Sequence, residues 1–192
     1  MSLARPLQLK ARVTESDATV RTEHQPDRFD QLFTRRYGEL YALAYRTLGD
    51  AALAEDVVQE AFLRLSEAEP VQRQADDAVG AWLRRVCLNL SFNRVRDERR
   101  LRQRVERAGR LDLASEVTTP SEALLAKERQ TAVRQALHGL PDSQRQCLLL
   151  RHSGYSYAEI AATVGISVGS VGVYLARAER AFRERYQERE EA

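Results

Sequence analysis

Arginine is the residue type most able to do chemistry in this chain, and it is clustered. Residues 84–110 hold 10 arginines and 3 acids, a local charge of +7 by subtraction. Lys10 and Lys127 are the only lysines among 30 basic residues. A guanidinium is planar and donates in a fixed fork, so it suits phosphate oxygens and base edges. Asn89 lies inside the block and offers both a donor and an acceptor, which a base edge can use. Residues 27–83 carry the opposite balance, 6 bases and 11 acids, a net of −5. There Asp56, Gln59 and Glu60 fall at i, i+3 and i+4, one polar face of a helix suited to a basic partner. A third set, Ser167, Ser170, Gly172, Val173, Arg177 and Arg180, falls on the outward side of a helix near the C-terminus. All three sets point to binding rather than bond making. His24, His138 and His152 have no paired acid motif, and no phosphate loop, G-x-S-x-G or H-E-x-x-H occurs. Cys87 and Cys147 are far apart among apolar residues, which reads as buried thiols. No catalytic residue, metal or cofactor is expected.

The elements that must position these groups read as helices throughout. The chain has 192 residues, with only 9 glycines and 5 prolines and almost no alternating apolar pattern. No apolar run approaches the roughly 20 residues of a membrane span, and the start lacks a secretory apolar core. The expectation is a cytoplasmic protein without membrane insertion. Residues 1–26 lack periodicity and read as a flexible tail. Asp27 can cap a first helix carrying Phe29, Leu32, Phe33, Tyr37, Leu40, Tyr41, Ala44 and Leu48 at helical spacing. Asp50 can cap a second, with Val57, Val58, Ala61, Phe62 and Leu65 as its stripe and Pro70 ending it. A polar loop is expected from Val71 to Val79. A third helix starts near Ala81 and runs into the arginine block. Trp82 is read as core more than as a stacking platform. The fold class is all-α: two small helical domains, 27–97 and 121–187, joined by a flexible linker, 98–120, with a short tail at 188–192.

The second domain contains a helix-turn-helix pattern. Ser156 and Glu159 form a capping-box pair, Gly165 supplies the turn, Ile166 plugs the corner and Ser167 caps the next helix. Ile160, Ala161, Val171, Leu175 and Ala178 point inward. The opposite face of the last helix suits a DNA major groove.

The stretch LPDSQRQCLLLRHSGYSYAEIAATVGISVGSVGVYLARAERAF resembles the minus-thirty-five reader of bacterial sigma factors. AEDVVQEAFLRL, residues 54–65, resembles that family's polymerase-clamp motif. WLRRVCLNLSFNRVR resembles its minus-ten recognition helix, with Trp82, Leu83, Arg85 and Asn89 at matching positions. The likeness covers about 27–97 and 121–187, as in the two-domain extracytoplasmic-function class. It implies core RNA polymerase as a partner, held by Asp56, Gln59 and Glu60. It implies promoter DNA as the other partner, both duplex and melted non-template strand. Arg84, Arg85, Asn89, Arg94 and Arg96, with Arg99 and Arg100 behind them, would serve the minus-ten element. The loop Gln72–Gly80 would cradle an unstacked base. Ser167, Ser170, Gly172, Val173, Arg177 and Arg180 would serve the minus-thirty-five element. An anti-sigma factor is a common partner in the family. Gly172, Val173 and Tyr174 depart from the basic or polar residues usual there, which implies fewer charge contacts. The rival reading is a stand-alone helix-turn-helix transcription regulator. Such a regulator needs a ligand or phospho-acceptor domain in front, where this chain carries an arginine-rich helix.

Overall fold

Gly49 and Asp50 set the first corner of the chain. The computed structural model describes residues 28–107 and 122–190, and helix α1 covers Arg28–Leu48. Gly49 takes a φ of +71°, a left-handed conformation that costs glycine little. Asp50 then caps α2 (Ala51–Glu67), its Oδ1 accepting from the Leu53 N–H at 2.9 Å. A one-turn helix, α3 (Glu69–Gln72), follows with Pro70 in its first turn, where a missing N–H costs nothing. Helix α4 covers Asp76–Arg107. The apolar stripes of α1, α2 and α4 close a first core of Leu40, Ala44, Val57, Val58, Ala61, Leu65, Val79, Leu83 and Cys87. Trp82 packs half-buried against it, as a core residue would.

The second bundle holds α5 (Glu122–His138), α6 (Asp142–His152), α7 (Tyr157–Val164) and α8 (Val168–Glu190). Ser156 and Glu159 form the reciprocal capping box expected of α7. Hydrogen bonds from the Ser156 hydroxyl and backbone hold the Glu159 carboxyl below its usual pKa. Gly165 ends α7 in the left-handed conformation at φ +81°. The Ser167 Oγ accepts from the Ser170 N–H at 3.2 Å and opens α8. Ile160, Ala161, Val171, Leu175 and Ala178 are buried, and Ile166 packs against them.

The two bundles are in contact. Leu43 of α1 and Leu88 and Phe92 of α4 are buried in the same apolar cluster as Leu150, Ile160 and Val171 of the second bundle.

Three expectations about boundaries change. The polar loop from Val71 to Val79 shrinks to Arg73–Ala75, because α3 and an earlier start of α4 take up its ends. Asp76 and Asp77 sit in the first turn of α4, where carboxylates favour the positive end of the helix dipole. Gly80 does not break that helix. It is buried in it, and a Cβ there would stand 3.1 Å from the Arg36 guanidinium carbon. Helix α4 also runs ten residues past 97, to Arg107, where a linker was expected. Arginine, glutamate, leucine and glutamine are good helix formers, and no glycine or proline intervenes before Gly109. Likewise α8 continues to Glu190, into the expected tail. The expected N-terminal tail, the Asp27 cap and the remainder of the linker, from 108, lie outside the described residues.

Candidate nucleic-acid interface

Helix α2 turns its apolar side into the first core and leaves Asp56 and Gln59 exposed, with Glu60 half-buried. Each of the three has a neighbour on the surface. Gln59 donates to Glu55 at 3.4 Å, and Arg64 pairs with Glu60 at 2.8 Å. Arg94 of α4 reaches Asp56 at 4.0 Å. Exposed pairs of this kind contribute about 0–1 kcal/mol, so the face stays available to a stronger partner. The Asp56–Arg94 contact was not legible in the sequence. It puts the acidic face of α2 directly beside the basic helix α4.

The minus-ten candidates separate into two groups. Arg84, Arg85 and Asn89 face the second bundle. Arg84 is only 3% exposed, and its Nε donates to the Thr163 hydroxyl at 3.1 Å. Its Nη1 lies 3.6 Å from Glu39, and its guanidinium sits 4.7 Å from the centre of the Tyr155 ring. Burial, helped by Glu39, pushes the Tyr155 phenol up to about 12. Arg85 donates from Nε to the Thr163 carbonyl at 2.5 Å and from Nη2 to the Ala162 carbonyl at 3.0 Å. The Asn89 Oδ1 accepts from Gln146 Nε2 at 3.0 Å. In the second group, Arg94 lies by Asp56, Arg96 donates to Asn93, and Arg100 is 3.9 Å from Asp97.

A cavity of about 270 Å³ lies at the seam between the bundles, with Arg96 and Arg99 of α4 facing His138 and Arg145. Arg145 is buried, pairs with Asp142 at 2.5 Å and stacks 3.7 Å over the Phe92 ring, while its Nε has no partner. Burial, then the charges of Arg145, Arg99 and Arg134, push His138 down to about 4. His138 and Arg145 were not singled out from the sequence.

On α8 the outward face is open. Ser167, Arg177 and Arg180 are exposed, and Val173 is 50% exposed. Ser170 is half-buried and shares a hydrogen bond with Ser167 at 2.7 Å. Gly172 is half-buried at the edge of the α7 contact rather than fully outward, and a Cβ there would lie 3.9 Å from the Tyr157 ring. The face therefore offers hydroxyls, one apolar side chain and two guanidiniums to a groove.

Comparison with known proteins identifies the family. Residues 32–101 match the family model for sigma-70 region 2, and residues 130–182 match that for sigma-70, region 4. The chain is 31% identical over 148 residues to the ECF RNA polymerase sigma factor SigK of Mycobacterium ulcerans, covering 76% of this chain and 78% of that one. It is 29% identical over 156 residues to SigW of Bacillus subtilis, covering 76% and 81% respectively. It is 30% identical over 167 residues to the RNA polymerase sigma-H factor of Pseudomonas aeruginosa, covering 80% and 83%. The fold is shared with the sigma factor RpoE of Bartonella quintana, solved in complex with the anti-sigma factor NepR. That likeness has a TM-score of 0.51 and 24% identity, and covers 83% of this chain and 96% of that one. With both sigma regions matched in order along one chain, this protein belongs to the extracytoplasmic-function class of the sigma-70 family of RNA polymerase sigma factors.

Proposed function

We propose that this sigma factor divides promoter-specific initiation among three surfaces. The outer face of α2, with Asp56, Gln59 and Glu60, docks on core RNA polymerase. The arginine-bearing face of α4 takes the minus-ten element. The outer face of α8 takes the minus-thirty-five element. The observation that carries this reading is the adjacency of the first two surfaces. Asp56 and Arg94 are neighbours, so a polymerase bound to α2 delivers DNA to α4 with little further searching.

Each surface has a physical task. Guanidiniums on α4 neutralise phosphates and release counterions, which makes binding salt-dependent. Asn89 can pair with a base edge exposed by melting. Capturing an unstacked base offsets a few kcal/mol of stacking, so binding itself helps open the duplex. Only Arg73–Ala75 remain non-helical between α3 and α4, so the base cradle would be formed by this short turn and the start of α4. On α8 the low charge around Gly172 and Val173 favours apolar contact with thymine methyls over many phosphate contacts.

Purified chain and core polymerase supply the test, in run-off transcription from a library of promoter fragments. A sigma factor gives initiation at a defined start with ATP-independent melting. A stand-alone regulator binds duplex DNA but gives no core-dependent transcript, and that result would overturn the reading.

A further inference from the structure

Three guanidiniums line the cavity between α4 and α6, and among the described residues Asp142 is the one carboxylate that lines it with them. Such a cluster is costly on its own, because like charges repel more strongly where water is partly excluded. We propose that the cavity is a binding site for a small phosphate monoester, whose phosphate group is held by Arg96 and Arg99 of α4 and Arg145 of α6. The site needs neither polymerase nor promoter, and it stands whether or not Arg96 also meets DNA.

Arg145 is the fixed part of the site. It is 7% exposed, and its guanidinium is held 3.7 Å over the Phe92 ring. Its Nη2 pairs with Asp142 and its Nη1 donates to the His138 carbonyl at 3.4 Å, while Nε has no partner. A buried charged group with an unmet donor is costly, and an anion beside it offsets that cost. Arg96 and Arg99 are the adaptable part. Both are exposed, and they reach the cavity three residues apart on one side of α4. The charges are close enough to act on one another. Burial lowers the Arg145 pKa, Asp142 opposes this and Arg96 adds to it. Burial, then Arg145 and Arg99, likewise keep the His138 ring neutral at pH 7.

Charge and size select the ligand. Three guanidiniums and one carboxylate, with His138 neutral, leave the cavity at +2. A phosphate monoester carries about −1.5 to −2 near pH 7 and matches this, whereas a carboxylate or a phosphodiester brings a single charge. The guanidinium fork also fits pairs of phosphate oxygens. The cavity, at about 270 Å³, lies just under the roughly 300–1,000 Å³ of pockets that take drug-sized ligands, so the ligand is compact. Phe92, Val95 and Leu140 supply an apolar wall for a short carbon portion.

Methyl phosphate is the probe, titrated into the full chain at neutral pH and followed through the histidine ring-proton resonances. Dimethyl phosphate stands in for a DNA backbone diester, and acetate for a singly charged anion. Methyl phosphate should saturate at one per chain. It should move the His138 signals and leave those of His152, at the far end of α6, in place. Its affinity should exceed that of dimethyl phosphate and of acetate about tenfold. Three variants, each of an exposed residue, locate the site. Arg99→Gln should weaken methyl phosphate binding about tenfold. Asp142→Asn removes the repelling carboxylate and should tighten it about three- to tenfold. Arg180→Gln, on α8, should leave it unchanged. A His138 signal that does not move, an equal loss in Arg99→Gln and Arg180→Gln, or weaker binding in Asp142→Asn overturns the site. Dimethyl phosphate binding as tightly as methyl phosphate would mean that these arginines meet the DNA backbone instead, and would overturn it as well.

Discussion

Two surfaces of this chain carry arginines that we assign to DNA, and they stand in opposite conditions. On α8, Arg177 and Arg180 project into solvent. On α4, Arg84 is buried and Arg85 is bound to the end of a neighbouring helix. The residue type is the same, so the difference lies in what faces it. An arginine satisfied within the fold contributes to stability and must be released before it can bind anything else. An arginine in solvent contributes almost nothing to stability and is ready at once.

The largest expected effect concerns the surface that both readers depend on. Asp56→Ala with Glu60→Ala removes the two carboxylates of the α2 face. Loss of core-polymerase binding should be complete in a pull-down, while stability changes by no more than about 0.5 kcal/mol per site. A double variant that still captures polymerase would remove α2 from the account.

The contrast between the two arginine surfaces is sharpened by truncating one arginine on each. Arg84→Ala leaves the buried Thr163 hydroxyl without its donor and Glu39 with Arg36 alone, and should lower unfolding free energy by about 1–3 kcal/mol. Arg177→Ala should change it by less than about 0.5 kcal/mol. Equal effects in urea titrations would mean that the contact between the bundles contributes nothing in solution.

Acid should weaken the seam. His138 is neutral in the fold because burial, Arg145, Arg99 and Arg134 lower it from 6.5 to about 4. Between these values the unfolded chain binds the extra proton, so stability is full above about pH 6.5 and declines as pH falls towards 4. The imidazole is partly exposed, so the loss is discounted for screening to about 1–2 kcal/mol. Urea titrations at pH 7 and 5 should show this decline in the parent and a flatter profile in His138→Gln. An unchanged pH slope in the variant would place the acid sensitivity elsewhere.

The smallest effect belongs to α8. Gly172→Lys should stabilise the second bundle by up to about 1 kcal/mol, since a Cβ meets only ordinary contact with Tyr157. It should also steepen the salt dependence of duplex binding by up to about one phosphate. Weaker binding at every salt concentration, in a variant that melts no lower, would mean that the glycine serves close approach to DNA.

Local rules made much of this legible. Ser156, Glu159, Gly165 and Ser167 act on neighbours within a turn, and the structure places each in its expected role. Apolar spacing likewise identified the stripes of α1 and α2. The start of α4 was not legible, because Asp76, Asp77 and Gly80 read as loop residues, whereas the two carboxylates open the helix and Gly80 is buried within it. The length of α4 was missed because arginine density suggested a tether, although no helix breaker occurs before Gly109. The seam was hidden for a deeper reason. A helix-end carbonyl and a phosphate oxygen make the same demand on a guanidinium, so Arg85 looks identical in sequence whichever it serves.

The central claim is that α4 captures the melted minus-ten strand, and permanganate reactivity of promoter thymines tests it most directly. Holoenzyme carrying Asn89→Ala should bind the promoter as closed complexes, show reduced thymine reactivity around the minus-ten element, and recover initiation on a template with a pre-melted bubble. Reactivity equal to the parent's on duplex promoter would contradict the claim. So would an equal loss of initiation on duplex and pre-melted templates, which would place the role of Asn89 in folding or polymerase contact.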